Sequence, residues 1–241
     1  MGSCVSHCLY KNAHQELANL ILDGSQPHAC QQITTYVLNH PRSLDARFEY
    51  DGGIYTPLML ACRFSHHGIY FGGRIRKNKY HQVEVQQQVS SIQIVNTLIT
   101  LMKTHNYDIN KSICVNYGSE HLPFYANALM CAVAYSGTTS NLDTVKLLID
   151  EGAYIDGPPR RHSTDRLKYT PLMMGIEWSE SCDIETIRYL IEQGANVNIS
   201  VITEVHRKRQ RLTALDIARR SPTNSLKLEA IRLLTEYMMH N

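Results

Sequence analysis

Four windows of the chain place apolar residues at i, i+3 and i+4: Val95-Asn96-Thr97-Leu98-Ile99, Val145-Lys146-Leu147-Leu148-Ile149, Ile187-Arg188-Tyr189-Leu190-Ile191 and Ile231-Arg232-Leu233-Leu234. This is one stripe of a helix at the 3.6-residue period. Each is preceded by a denser apolar phrase: Thr56-Pro57-Leu58-Met59-Leu60-Ala61-Cys62, Asn127-Ala128-Leu129-Met130-Cys131-Ala132, Thr170-Pro171-Leu172-Met173-Met174-Gly175 and Thr213-Ala214-Leu215-Asp216-Ile217-Ala218. The starts Asn127, Thr170 and Thr213 are 43 residues apart. A fixed period of this size signals stacked supersecondary units rather than one closed core.

The punctuation agrees with the periodicity. Threonine followed by proline predicts a helix start, with threonine as N-cap and proline at N1, where a missing N–H costs nothing. Glu151-Gly152-Ala153 and Gln193-Gly194-Ala195 follow two of the amphipathic windows, and a glycine just past a helix supplies a left-handed C′ residue. After the glycines come Tyr154-Ile155-Asp156 and Asn196-Val197-Asn198, read as short extended stretches. Each unit is therefore helix, turn, helix and an excursion.

In this order, Thr-Pro-Leu, a Val-Leu-Leu helix, Gly-Ala and Asn-Val-Asn, the chain resembles the ankyrin repeat family. The resemblance is closest at residues 141–156 and 185–198 and covers about residues 56–238, with a degenerate helix pair at residues 16–22 and 32–38 closed by Ser43-Leu44-Asp45. It implies an all-α helix-turn-helix solenoid of about five repeats, near residues 9–45, 56–110, 127–156, 170–198 and 213–238, with hairpin fingers and one long insertion at about residues 63–91. The units at the two ends are expected to serve as caps. The histidine usual in the family after Thr-Pro-Leu is replaced by Met59, Met130, Met173 and Asp216, so one inter-repeat hydrogen-bond system is expected to be missing. The period also exceeds the ~33 residues of the family, and the surplus lies in the connections.

The charge sits in those connections. Segment 72–81 holds Arg74, Arg76, Lys77 and Lys79; segment 157–169 holds Arg160, Arg161, Arg166 and Lys168; segment 201–212 holds Arg207, Lys208, Arg209 and Arg211. Together they carry half of the 24 basic residues and two of the 22 acids, although the net charge is only +2. In an ankyrin-like stack the second and third segments become neighbouring fingers. Their eight cations are expected to share one patch, suited to carboxylate or phosphate on an acidic or phosphorylated protein surface, or to anionic membrane lipid. No helix-turn-helix or zinc-finger pattern favours sequence-specific nucleic-acid reading, although residues 206–211 resemble a nuclear-import cluster.

Residues Met1 to Cys8 match an N-myristoylation pattern, with Gly2 exposed after methionine removal, Ser6 in place, and Cys4 and Cys8 as candidate palmitoylation sites. Tethering to the cytoplasmic face of a membrane is the expectation, and a diverged array with long loops resembles bacterial effectors lipidated in a host cell. No apolar run reaches the ~18 residues of a spanning helix. Seven cysteines without a C-x-x-C pair give neither a disulfide framework nor a zinc site, which points to a reducing, cytoplasmic compartment. No catalytic constellation, metal site or cofactor loop stands out: Cys62 with His66 and His67 comes nearest, and Gly52-Gly53 and Gly72-Gly73 are isolated turn pairs. The expected function is a non-catalytic scaffold that takes a protein partner and no small-molecule substrate. Two alternatives stand beside it: an enzyme or enzyme subunit using residues 63–91, and a nuclear, nucleic-acid-associated basic ankyrin protein.

Overall fold

The computed structural model describes residues 15–23, 28–50, 53–66, 92–115, 124–157, 169–205, 208–220 and 224–240. Within them the apolar windows become paired helices: α1 (Gln15–Leu22) with α2 (Ala29–Asn39), α3 (Pro57–Arg63) with α4 (Ile92–Thr104), α5 (Ala128–Ala134) with α6 (Leu142–Asp150), α7 (Pro171–Glu177) with α8 (Ile184–Glu192), and α9 (Ala214–Arg220) with α10 (Ser225–His240). A 3₁₀ turn, Pro41–Asp45, follows α2. Three antiparallel hairpins join the pairs: β1 (Phe48–Tyr50) with β2 (Gly53–Tyr55), β3 (Ile113–Val115) with β4 (Phe124–Ala126), and β5 (Val201–Val205) with β6 (Lys208–Leu212). The hairpins at residues 48–55 and 113–126 add two fingers to those read from the basic segments.

The helices form two layers. The odd-numbered helices pack in sequence, α1 on α3, α3 on α5, α5 on α7 and α7 on α9, and the even-numbered ones form a second row, α2 on α4, α4 on α6, α6 on α8 and α8 on α10. One continuous apolar cluster runs between the layers from Leu17 to Leu234. The all-α solenoid implied by the repeat pattern is therefore the observed fold.

The two rows differ because their sequences do. The inner helices α3, α5, α7 and α9 are only seven residues long, and every residue of α3 and α5 is buried, Arg63 included. An outer helix buries one stripe, as in α8 with Thr186, Ile187, Leu190 and Ile191. So short an inner helix is below the length at which a helix holds itself; caps and neighbours hold it. Thr56, Asn127 and Thr170 accept the N–H of Met59, Met130 and Met173 at 3.3, 3.0 and 3.2 Å. Thr213 and Asp216 cap reciprocally: the Thr213 N–H donates to Asp216 at 2.9 Å while the Asp216 N–H donates to the Thr213 hydroxyl at 3.3 Å. Hydrogen bonds from the Thr213 backbone and hydroxyl hold the Asp216 carboxyl below its usual range. That contribution is present above the ordinary carboxylate pKa and is lost as pH falls through the depressed value.

The outer helices end alike. Gly152 and Gly194 adopt φ of 97° and 88°, and their N–H groups and those of Ala153 and Ala195 return to the last helical turn, Gly152 to Ile149, Ala153 to Leu148, Gly194 to Ile191 and Ala195 to Leu190. The third member of the set is Asn106, at φ 58°, with Tyr107 N–H donating to the Met102 carbonyl at 2.8 Å. The stretches read as extended after these caps are instead tight turns. Lys111 N–H bonds the Asp108 carbonyl, Gly157 that of Tyr154, and Ile199 that of Asn196. The physical reason is local: the Asp108 and Asn196 side chains accept the N–H two residues on, at 2.8 and 3.0 Å, which curls the backbone.

Adjacent pairs are joined by a repeated polar device. Ser65, Ser136 and Ser179 each stand nine residues after an inner-helix N-cap, and each meets the N-terminal end of the next outer helix. Ser65 Oγ lies 3.1 Å from Ser140 Oγ and 2.6 Å from Thr144 Oγ1. The Asp183 N–H donates to Ser136 Oγ at 3.0 Å, and Asn224 Nδ2 donates to Ser179 Oγ at 2.7 Å. Asn141, Asp183 and Asn224 are themselves the acceptors at those three helix starts, for the N–H groups of Thr144, Glu185 and Lys227. A main-chain bond runs alongside at two junctions, His66 N–H to the Thr139 carbonyl at 3.1 Å and Gly137 N–H to Ser181 at 2.9 Å. There the backbones approach so closely that a Cβ on Gly137 would lie 3.0 Å from the Cys182 carbonyl carbon. The methionines that replace the expected histidines are buried apolar packing, so inter-repeat hydrogen bonding is supplied by serines at another position. Replacing Ser136 with alanine strands the buried end of this junction and is expected to cost about 1–3 kcal/mol, read as a lower midpoint in urea with an unchanged m-value.

Candidate interaction face

The finger hairpins share one rule of alternation, because successive residues of a strand point to opposite faces. In each, the rung nearest the helices faces the core: Phe48 opposite Tyr55, Ile113 opposite Ala126 and Val201 opposite Leu212, all buried. The next rung faces outward: Glu49 opposite Ile54, Cys114 opposite Tyr125 and Ile202 opposite Arg211. Tyr125 is 41% and Ile202 49% exposed, large values for apolar residues held in regular structure. The fingers thus offer a row of outward side chains that the helices do not cover.

The last finger is the longest, five residues per strand against three in the other two. Its register sets Thr203 opposite Gln210, Glu204 opposite Arg209 and Val205 opposite Lys208. By the period of two, Arg211 shares the outward face with its partner Ile202, while Gln210 falls on the other. Arg211 is exposed, and its guanidinium donates to Ser200 Oγ at 3.3 Å.

Of the residues expected to bind a partner, Lys208, Arg209 and Arg211 therefore lie together on one strand. Arg160, Arg161, Arg166, Lys168 and Arg207 lie outside the described residues, as do the lipidation candidates Gly2, Cys4 and Cys8 and most of the 63–91 insertion, residues 67–91. Tyr125 and Ile202 were missed by reasoning from charge. Their signal was present as alternation, in Ile113-Cys114-Val115 paired with Phe124-Tyr125-Ala126, once the pairing is known.

The thiol constellation near the insertion has a different character from an active site. Helix α3 stops at Arg63, so helical spacing does not carry Cys62 onto the face of His66. His66 instead lies at the surface, with its Nδ1 3.3 Å from Asn141 Nδ2. Cys62 is fully buried, and burial pushes its thiol well above its ordinary pKa, with Cys131 adding to the rise. Burial likewise raises Cys131 and Cys182 to about 12. A nucleophilic thiol needs the opposite shift. Beside them Arg63 is buried and hydrogen-bonded to the Tyr55 hydroxyl, its guanidinium carbon 5.2 Å from the Tyr55 ring centre, 5.0 Å from Phe64 and 4.5 Å from Tyr135. These distances suit cation–π attraction, so Arg63 ties α3 to the first finger and to the end of α5. Among the described residues no group of three His, Cys, Asp or Glu side chains could hold a metal ion, and no helix is long and apolar enough to cross a membrane. Labelling the folded protein with a thiol reagent at pH 8 is expected to modify the exposed Cys114 at least about a hundredfold faster than Cys62, Cys131 or Cys182, as followed by peptide mass spectrometry.

The comparisons with known proteins bear on the frame. Curated proteins yield no match. Among solved structures, a predatory endopeptidase from Bdellovibrio bacteriovorus in complex with an immunity protein is similar at 17% identity and a TM-score of 0.38, over 94% of this chain and 98% of that chain. A likeness of that size carries no argument about function. The family model for ankyrin repeats, in three copies, matches residues 87–201, the span that holds α4 to α8 and their stacked turns. Residues 87–201 thus carry three ankyrin repeats, and the two helix layers and left-handed caps of that span are the repeats' own stacking.

Proposed function

We propose that this protein is a non-catalytic scaffold whose basic fingers bind an acidic or phosphorylated surface of a partner protein. Ankyrin repeats are protein–protein interaction modules, and stacked repeats present extended binding faces. The observation that supports the finer reading is the last finger, whose strand Lys208–Leu212 carries Lys208, Arg209 and Arg211, with Arg211 exposed opposite the exposed Ile202. Arginine pairs with carboxylate or phosphate through two parallel hydrogen bonds. Apolar and tyrosine surface nearby, as at Tyr125 on the second finger, adds contact area of the kind that anchors interfaces. Arg160, Arg161, Arg166 and Lys168 of segment 157–169, the preceding connection in the chain, are proposed to act on the same partner.

Reversing Arg160, Arg161, Arg207 and Arg209 to glutamate is expected to lower capture of the partner at least about tenfold, most at low salt, since the contact is between charges. Arg42→Glu, an exposed change on the 3₁₀ turn after α2, is the control and leaves capture unchanged. Equal capture by both variants overturns the reading.

Acylation at Gly2, with Cys4 or Cys8 as a second site, is proposed to hold the scaffold at the cytoplasmic face of a membrane. One myristoyl chain binds with K of about 10⁴ M⁻¹ and needs a second acyl chain or a basic patch for stable anchoring. Gly2→Ala is expected to move the protein from the membrane fraction to the supernatant; a distribution equal to the parent's removes the tether.

A further inference from the structure

The fingers meet one another in a fixed sense. Strand β2, the second strand of the first finger, packs beside β3, the first strand of the next. In that pair the second strand of one finger has the following finger as its neighbour. Strand β6 is the second strand of the last finger, and after it the described chain continues only as α9 and α10. Among the described residues β6 is hydrogen-bonded to β5 alone. Its other edge presents N–H and C=O groups at alternate residues, and an edge of this kind is a template for one more strand.

The sequence of that edge is selective. Strand β6 reads Lys208-Arg209-Gln210-Arg211-Leu212, three cations and no acid, in the longest finger of the structure. Such charge keeps out a second copy of the same strand by like-sign repulsion and admits a strand of opposite sign. We infer that β6 is a docking edge for an extended acidic segment of the partner, which adds to the finger as a further β-strand. The inference rests on the basic-finger reading above and specifies how the partner is held. Main-chain hydrogen bonds to β6 supply affinity, and alternate side chains supply specificity. Acidic residues on the incoming strand pair with the cations of β6, and the exposed Arg211 has Ile202 as an apolar neighbour across the finger. The buried base rung, Val201 with Leu212, anchors the hairpin to the inner layer, so the edge is held in place before the partner arrives.

The test uses the full chain and two synthetic peptides that alternate threonine with glutamate. One has an ordinary backbone. The other carries N-methyl groups on the residues that donate, which keeps every charge and removes the donors. Binding is read by fluorescence titration and by hydrogen exchange of the amides in residues 208–212. The expected result is that the ordinary peptide binds and slows exchange of alternate amides of β6, while the methylated peptide binds at least about tenfold more weakly. Arg209→Glu with Arg211→Glu abolishes both. Equal binding of the two peptides, with no change in β6 exchange, overturns strand addition and leaves charge-driven finger docking standing. If neither peptide binds, or the double reversal changes nothing, strand addition and the basic-finger reading fall together.

Discussion

A serine hydroxyl at the end of each of the inner helices α3, α5 and α7 is the contact on which the rest of this solenoid depends. A repeat of this kind cannot bury its apolar face alone, and neighbouring pairs must meet at a set height and angle for their cores to become one. Close apolar fit contributes to it, as at Gly175, where a Cβ would lie 2.8 Å from Val133 and 2.7 Å from Ile187. Ser65, Ser136 and Ser179 add direction, since each engages the start of the following pair's outer helix within hydrogen-bond distance. A second polar stitch acts at the turn layer. Asn110 donates to the Gly152 carbonyl at 3.1 Å and accepts the Tyr154 N–H at 2.7 Å, and Asp156 accepts the Asn196 N–H at 2.8 Å. Buried polar groups left unpaired cost more than pairing them gains, so these stitches penalise every other stacking.

With the pairs fixed at both layers, the hairpins between them inherit their positions. The base rung of each finger is buried against the inner layer, as is Val115 further along the second finger, while Cys114, Tyr125, Ile202 and Arg211 are exposed. That division lets the fingers carry charge at little cost to the frame. The outer helices carry charge too, but theirs is neutralised in place: Arg188 reaches both Glu185 and Glu229, and Arg232 reaches Glu229 and Glu236, bridging α8 and α10. These exposed pairs are worth little individually. Their relevance is that acids accompany the bases on the helices, whereas β6 has none.

Much of the frame was legible in the sequence. Thr56, Asn127 and Thr170 announced helix starts, and Gly152 and Gly194 announced helix ends, because each of those positions demands a residue type for a geometric reason. Asn106 was not legible by the same rule: it performs the glycine's task in a residue type that enters the left-handed region less often, so it does not read as a stop. The serine stitches escaped for another reason. A lone serine in a connection has no periodic neighbours, and its role shows only when counted from an N-cap. Charge patterning found the last finger but could not find Tyr125 or Ile202, since outward and inward rungs separate only when the strand register is known. Met59, Met130 and Met173 in place of the expected histidines read as apolar positions, and nothing in their pattern points to the serines that bond between pairs nearer the helix ends.

The frame and the fingers therefore answer to different constraints. An inner-helix residue is fixed by the pair before it and the pair after it, so substitution there is felt across two junctions. An outward finger residue such as Ile202 or Arg211 is exposed instead, and its identity is free to follow a partner. Among the described strands β6 pairs with β5 alone, and it reads Lys208-Arg209-Gln210-Arg211-Leu212. Charged residues along an unpaired edge discourage association between copies. A residue type that keeps an edge soluble alone is also the type that recognises an acidic strand, so protection and recognition are a single property of β6.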